Sequence, residues 1–240
     1  MSPNNSAFEA HTLDFVFEHT TIPVPRVRRV LDIKNEDRII IMDYIKGRHL
    51  ALVWHNMSLL EKLRVGLTLR HYVRQLREIR HPRSAVPGPV APDGPRLCMT
   101  PLFGDIGGDR GPFATYAEFS SFMKGRQYIA ISCYAHHPVP PEGRVPFDES
   151  APFVMTHQDI NMRNVMVGDD GRLWLIDWAF SGFYPRWFEF VSMKEQCANE
   201  EFLTGKKAPL WDWMVPLICG PYYYRQERWL QIISPAFAWA

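Results

Sequence analysis

The sequence contains few cysteines, and their spacing fits neither a metal site nor a disulfide framework. Cys98, Cys133, Cys197 and Cys219 lie far apart and form no C-x-x-C pair. This spacing argues against a zinc site and against a small domain that depends on disulfides. We therefore expect reduced thiols in an intracellular protein.

A leader segment and long apolar runs are also missing. The first residues, MSPNNSAFEAH, do not show the basic and then apolar order of a signal peptide. No apolar run is long enough to cross a bilayer. These absences predict a cytoplasmic protein without a membrane partner.

The chain has no surplus of one charge sign. Its formal net charge is +1, and acidic and basic residues are interspersed, so no overall field favours nucleic acid as a partner. With 240 residues, of which 46% are hydrophobic, the chain can bury a sizeable core. We expect one large or two small globular domains.

The most informative stretch is VMTHQDINMRNVMVGDDGRLWLIDW, from Val154 to Trp178. An apolar run leads into Asp159, and Asn164 opens a second apolar run five residues later. The triplet Asp169-Asp170-Gly171 is typical of a hairpin turn, and the strand after it leads to Asp177. Two acids and one amide are therefore expected at the ends of short paired strands.

These residue types suit the transfer of a phosphoryl group. That reaction needs a carboxylate to accept the proton of the attacking hydroxyl, and oxygen ligands that hold Mg²⁺ against the phosphates. Asp159 suits the first role, and Asn164 and Asp177 suit the second. The order H-x-D-x-x-x-x-N, then a hairpin and an Asp, is typical of a kinase catalytic loop. Taken singly, these residues would more often be turn formers and His157 a structural histidine.

The remaining pattern predicts one helix, two strands and then a mainly helical region. Proline residues follow the first helix and stop it. Capping boxes at Ser6, Ser58 and Thr115 mark three helix starts. The predicted helices are Ala7–His19, residues 50–55, Ser58–Ile79 and residues 115–134, and the predicted strands are Arg26–Leu31 and Arg38–Tyr44.

Three further expectations concern the large helical region. The segment Ser181–Pro185 is predicted to be a loop, and the chain after it is predicted to be mainly helical. The aromatic residues of the tail could form a stacking platform for a ligand or belong to the core. The helix that begins at Ser58 should turn most of its apolar residues inward, namely Leu59, Leu60, Leu63, Leu67, Leu69, Tyr72, Val73 and Leu76.

The chain resembles the aminoglycoside phosphotransferase and choline kinase-like family. The resemblance rests on HQDINMRN at 157–164, LIDWAFSGFYP at 175–185, HTTIPVPRV at 19–27, IMDYIKGRHL at 41–50 and LREIRHP at 76–82. It implies an α+β, protein kinase-like fold with a mainly helical large lobe and short β-hairpins at the active site. Residues 1–46 would form a partial small lobe and hinge, and residues 47–240 the catalytic lobe.

The resemblance also implies roles for single residues. Asp159 would be the catalytic base and His157 a brace for its loop, with Asn164 and Asp177 as Mg²⁺ ligands. The remaining expected contacts are with ATP, and the acceptor would be a small molecule with a hydroxyl group. Glu9 matches the glutamate that pairs with a phosphate-gripping lysine, and the adenine would meet the hinge backbone of Met42, Asp43, Tyr44 and Ile45.

The sequence departs from the family before Glu9. The family's Gly-rich loop and lysine should lie there, but MSPNNSAF contains neither Gly nor Lys. The small lobe is therefore expected to be incomplete, with one helix and two strands, and its sheet edge would be open to self-association. We expect impaired turnover. The alternative is a non-catalytic remnant of the fold, or a fragment of a longer gene product, that acts at most as a binding module.

Overall fold

The computed structural model divides naturally into a small and a large group of elements. The structure describes residues 5–32, 38–104, 110–134, 137–204, 207–220 and 223–238.

The small group consists of one helix and one hairpin. Helix α1 (Asn5–His19) packs against the antiparallel strands β1 (Val27–Asp32) and β2 (Arg38–Met42). The helix begins at Asn5, so the predicted start at Ala7 with a Ser6 cap is wrong. Residues 33–37, between the two strands, lie outside the described residues.

This hairpin leaves apolar side chains in solvent. Within the described residues, β2 pairs with β1 alone, and the side chains of Leu31, Ile39 and Ile41 are all more than one third exposed. Self-association through this sheet stays a prediction.

The large group is mainly helical and contains two small sheets. Its elements are β3 (Gly47–His49), α2 (Leu50–Val53), α3 (Leu59–Glu78), α4 (Tyr116–Ser132), β4 (Phe153–Thr156), β5 (Val165–Gly168), β6 (Leu173–Leu175), β7 (Gly182–Pro185), α5 (Phe188–Thr204), α6 (Pro209–Cys219) and α7 (Tyr224–Ile233). The strand order is β3-β5-β6 in one sheet and β4-β7 in the other, and every pairing is antiparallel.

Helix α3 starts at the predicted capping box, but only part of its apolar face is buried as predicted. The side chain of Ser58 accepts a hydrogen bond from Glu61 N, and the Glu61 carboxylate accepts one from Ser58 N, as a capping box requires. The second half of the helix is buried through Leu69, Tyr72, Val73 and Leu76. The leucines of its first half are exposed to solvent because no described element covers them, namely Leu59, Leu60, Leu63 and Leu67.

The predicted loop at Ser181–Pro185 is wrong for most of its length. Residues Gly182–Pro185 form β7, which pairs with β4 in the register Thr156 to Gly182 and Phe153 to Pro185. Gly182 lies so close to the backbone of Gly88 that a Cβ atom there would come within 2.3 Å of the Gly88 carbonyl oxygen. Only glycine fits at this position, which explains why the strand contains a residue typical of loops.

One continuous core lies beneath both sheets and the helices. Three of the described tail aromatics belong to the core, namely Trp211, Tyr223 and Trp229, whereas Trp213 is 78% exposed and a stacking role for it stays a prediction. All four cysteines are free thiols. None of the helices in the described part of the chain combines the length and apolarity needed to span a bilayer.

Candidate active site

Asp159 lies in the loop between β4 and β5, and two amide side chains hold its carboxylate. Asn161 Nδ2 donates to Asp159 Oδ1 at 2.9 Å, and Asn164 Nδ2 donates to Asp159 Oδ2 at 2.7 Å. Asn164 Nδ2 also donates to the Asp159 carbonyl oxygen. Both carboxylate oxygens are therefore fixed in orientation while the residue stays largely buried.

The surroundings of Asp159 bring its pKa close to neutrality. Burial, and then the nearby charge of Asp177, raise the pKa of Asp159 to about 6, while the bonds from Asn161 and Asn164 oppose the rise. At pH 7 the carboxylate is mostly ionised, so it can accept a proton. A base with a pKa near the working pH is the most effective one.

Asn161 is a site residue that the sequence prediction missed. In addition to its bond with Asp159, its Oδ1 accepts hydrogen bonds from Arg163 N at 2.9 Å and Asn164 N at 3.1 Å. An Asn that bonds the backbone two and three residues ahead is a recognised turn-forming pattern. Its position two residues after Asp159 was the available signal.

His157 is buried and braces the same loop in its neutral form. Its Nδ1 accepts from Asp159 N and its Nε2 donates to the Ile176 carbonyl oxygen, each at 3.2 Å. Burial lowers the pKa of His157 to about 4, so the neutral tautomer that satisfies both bonds is present at pH 7. The ring packs on Trp178. The structure thus places His157 between the loop of Asp159 and the strand that leads to Asp177.

Glu189 is a second residue that the sequence prediction missed. This glutamate of α5 is 1% exposed. Its carboxylate accepts hydrogen bonds from His157 N at 2.6 Å and Gln158 N at 3.0 Å. Burial raises the pKa of Glu189 to about 7. The signal in the sequence was a lone acid within the apolar run Trp187-Phe-Glu-Phe-Val191.

Asn164 and Asp177 offer oxygen atoms of the kind that a magnesium ion prefers. Both hydrogen-bonding directions of Asn164 Nδ2 are directed at Asp159, which leaves its Oδ1 as the atom available to a cation. The charge of Asp177 raises the pKa of both Glu9 and Asp159, so a cation there would relieve repulsion. The described residues contain no group of three or more His, Cys, Asp or Glu that could hold a metal without further ligands.

Glu9 reaches the site from α1. Its Oε1 accepts a hydrogen bond from Trp178 N at 3.2 Å. Burial, and then the charge of Asp177, raise the pKa of Glu9. The salt bridges formed among the described residues do not include Glu9. The structure therefore brings Glu9 to the segment of Asp177, and no cation from the described part of the chain pairs with it.

Of the predicted hinge residues, Met42 ends β2, and Asp43, Tyr44 and Ile45 lie in the connection from β2 to β3. Tyr44 is 86% exposed and Ile45 is buried, while Asp43 forms a salt bridge with Arg28. Just beyond this segment, Asp169 N donates to the Lys46 carbonyl oxygen at 3.0 Å. That bond ties the connection to the β5–β6 turn, which lies on the hairpin between Asn164 and Asp177.

A cavity of about 780 Å³ lies next to the loop, between α5, α6 and α7. Met162 and Arg163 line its wall, and they lie between Asn161 and Asn164 in the sequence. Three cation–acid pairs surround it, namely Arg163–Glu200, Lys194–Asp212 and Lys207–Glu201. Glu195 and Glu227 also line it, and burial followed by the charge of Glu227 raises the pKa of Glu195 to about 7.

Comparisons with known proteins support the family and the fold. The model of a family described as "Phosphotransferase enzyme family" matches residues 2–208. No curated protein sequence matches the chain. Among solved structures, the GDP complex of a mutant aminoglycoside 2'-phosphotransferase-IIIa is 13% identical, with a TM-score of 0.53 over 98% of this chain and 70% of that one. The GDP and kanamycin complex of APH(2")-IIia is 13% identical, with a TM-score of 0.52 over 98% and 71%.

Proposed function

We propose the following function because the chain belongs to the phosphotransferase enzyme family. The function is the transfer of the γ-phosphoryl group of a nucleoside triphosphate to a hydroxyl group of a small molecule. ATP is the expected donor. The observation that carries the proposal is the Asp159 carboxylate, held on both oxygens by Asn161 and Asn164.

The residues of the loop suit each step of this transfer. Asp159 orients the acceptor hydroxyl and takes its proton, while the hydroxyl oxygen bonds to the phosphorus and the nucleoside diphosphate leaves. Asn161 and Asn164 direct the carboxylate, while neutral His157 and the carboxyl group of Glu189 hold the backbone of residues 157–159. The protein therefore contributes mainly by positioning the reacting groups.

Two residues would hold Mg²⁺, namely Asn164 through Oδ1 and Asp177 through its carboxylate. The ion supplies neutralisation of charge on the phosphate oxygens. In the same proposal Glu9 lies near the phosphates, Met42–Ile45 receive the base, and the chain divides into residues 1–46 and 47–240. Since the two solved relatives described above are GDP complexes, GTP is a second donor to test.

The cavity beside Met162 and Arg163 is the proposed space for the acceptor. Three of its acids are already paired with cations, and Glu195 and Glu227 remain. One of the solved relatives is a complex with kanamycin. A small molecule that carries both a hydroxyl and an amino group fits these two acids, because a cation beside Glu195 favours the ionised form of its carboxyl group.

A second candidate function is a nucleotide-binding module that does not turn over. It is favoured by the state of Glu9, whose carboxylate bonds Trp178 N and forms no salt bridge with a described residue. Kinases need both the lysine–glutamate pair and the metal site for turnover. Slow or absent transfer would follow.

The test is a phosphotransfer assay with Mg-ATP or Mg-GTP and a panel of amino alcohols and sugars. Release of the nucleoside diphosphate that depends on both Mg²⁺ and an acceptor supports the first function. The control is Asp159→Ala, and equal rates for it and the wild type would sink the proposal. Thermal unfolding with nucleotide separates the second candidate, because a ligand at about one hundred times its Kd stabilises by roughly 2.7 kcal/mol.

A further inference from the structure

Gln158 has a backbone conformation that is unusual for its residue type. Its φ angle is +64°, and among the described non-glycine residues only Gln158 and Asp177 have a positive φ. A residue with a Cβ atom is disfavoured in this left-handed region, where glycine is at ease. Both exceptions lie in the candidate site, and Gln158 directly precedes Asp159. Strain of this kind persists only where the surroundings hold it.

The side chain of Gln158 shows what holds the strain. It is completely buried. Its Oε1 accepts a hydrogen bond from Thr100 Oγ1, and its Nε2 donates to the Phe180 carbonyl oxygen at 3.4 Å. One amide group therefore connects the loop of Asp159 to two other segments, one of which follows Asp177.

Thr100 is itself fixed in place. It is buried, and its Oγ1 also accepts from Leu102 N, which caps the 3-10 turn Pro101–Phe103. Phe103 packs edge-to-face on Phe188 of α5, at a ring distance of 6.0 Å. The anchor of Gln158 is thus part of the core and not a mobile loop.

We propose that Gln158 is a positioning residue that sets Asp159 and the segment of Asp177 in register through the chain Thr100–Gln158–Phe180. A glycine would satisfy the backbone but would make neither bond. The side chain therefore offsets the conformational strain by fixing the two halves of the site. This proposal deepens the proposed function and rests on it.

Three variants separate the strain from the bonds. Gln158→Gly removes both, and Gln158→Asn keeps an amide that tolerates the left-handed region but is one methylene too short to reach Thr100. Thr100→Val keeps the shape and removes the donor to Gln158. Thr12→Val is the matched control, because Thr12 is buried and its hydroxyl has no hydrogen-bond partner in the described residues.

The first readout is steady-state kinetics. Misplacement of reacting groups by about 1 Å can cost about 100-fold in rate, so we expect kcat to fall roughly 10- to 100-fold in all three variants, with KM for the nucleotide within about 3-fold. Thr12→Val should keep the wild-type kcat. The double variant Thr100→Val with Gln158→Gly should be no slower than Gln158→Gly, because both remove the same contact.

The second readout needs no turnover. Amide hydrogen exchange of residues 157–164 and 178–182 should speed up together, by about 10-fold or more, in Gln158→Gly and Thr100→Val. If the wild type shows no phosphotransfer but the exchange changes as expected, the proposed function fails and the positioning role stands. Unchanged exchange in both variants would overturn the positioning role, whatever the activity, and so would an unchanged kcat in an active enzyme. Should Gln158→Gly not fold, Thr100→Val and Gln158→Asn decide.

Discussion

Replacement of Glu189 by glutamine should change how the stability of the protein depends on pH. Burial raises the pKa of Glu189 from 4.5 to about 7, although the bonds from His157 N and Gln158 N oppose the rise. A carboxyl group whose folded pKa lies above its unfolded value contributes stability that is fully present below the unfolded pKa. That contribution is lost as the pH rises through the folded pKa.

The size of the effect follows from the two pKa values. One unit corresponds to about 1.4 kcal/mol, so the interval from 4.5 to about 7 corresponds to roughly 3 kcal/mol. Glutamine does not titrate. We therefore expect the free energy of unfolding of Glu189→Gln, relative to the wild type, to rise by roughly 3 kcal/mol between pH 4.5 and pH 8. The amide accepts only one of the two N–H groups, which adds a constant offset of about 1–3 kcal/mol against the variant.

The assay is urea unfolding of both proteins at several pH values across this window. Other titrating groups are common to both proteins and cancel in the difference. Glu78→Gln is the matched control, because it makes the same substitution at an exposed glutamate of α3. If the free energies of unfolding of Glu189→Gln and the wild type change in parallel with pH, titration of Glu189 does not contribute to the pH dependence of stability, and the prediction is wrong.

Three further predictions concern the loop and α3. Asn161→Ala removes a bond that lowers the pKa of Asp159, so the acid limb of the pH–rate profile, expected near pH 6, should move to higher pH; an unchanged midpoint would contradict this role. Ser58→Ala should lower the free energy of unfolding by about 1 kcal/mol, measured by urea, because the capping box of α3 is lost. Leu69→Ala should cost about 2–5 kcal/mol, whereas Leu60→Ala should stay within about 0.5 kcal/mol in the same assay; equal losses would refute the burial difference.

Local signals predicted the elements whose stabilising contacts lie close together in the sequence. The capping box at Ser58 and the turn at Asp169–Gly171 both depend on neighbours a few residues away, and the structure contains both. The kinase-like fold was expected from the resemblance of the motifs to a known family, and the family model and the solved structures agree with it. The roles of Asp159, Asn164 and Asp177 stay predictions, although the structure does place Asn164 against Asp159.

The wrong or missing predictions concern features that depend on residues far away in the sequence. A helical period identifies an apolar face, but it does not show whether another element covers that face, and so Leu60 and Leu63 were expected inside. The strand β7 exists because β4 lies beside it, a pairing that the loop-like residues of 181–185 conceal. Glu189 was missed because its partners, His157 N and Gln158 N, are about thirty residues away.

The pairing of β4 with β7 has a consequence for the order in which the site forms. Residues 157–181 lie between these strands, so the loop of Asp159, the β5–β6 hairpin and Asp177 form one excursion of the chain. The hairpin can form from neighbouring residues, whereas the β4–β7 pairing must first close the whole excursion, which costs more conformational entropy. We expect the β5–β6 hairpin to form early and the β4–β7 pairing to close the excursion later.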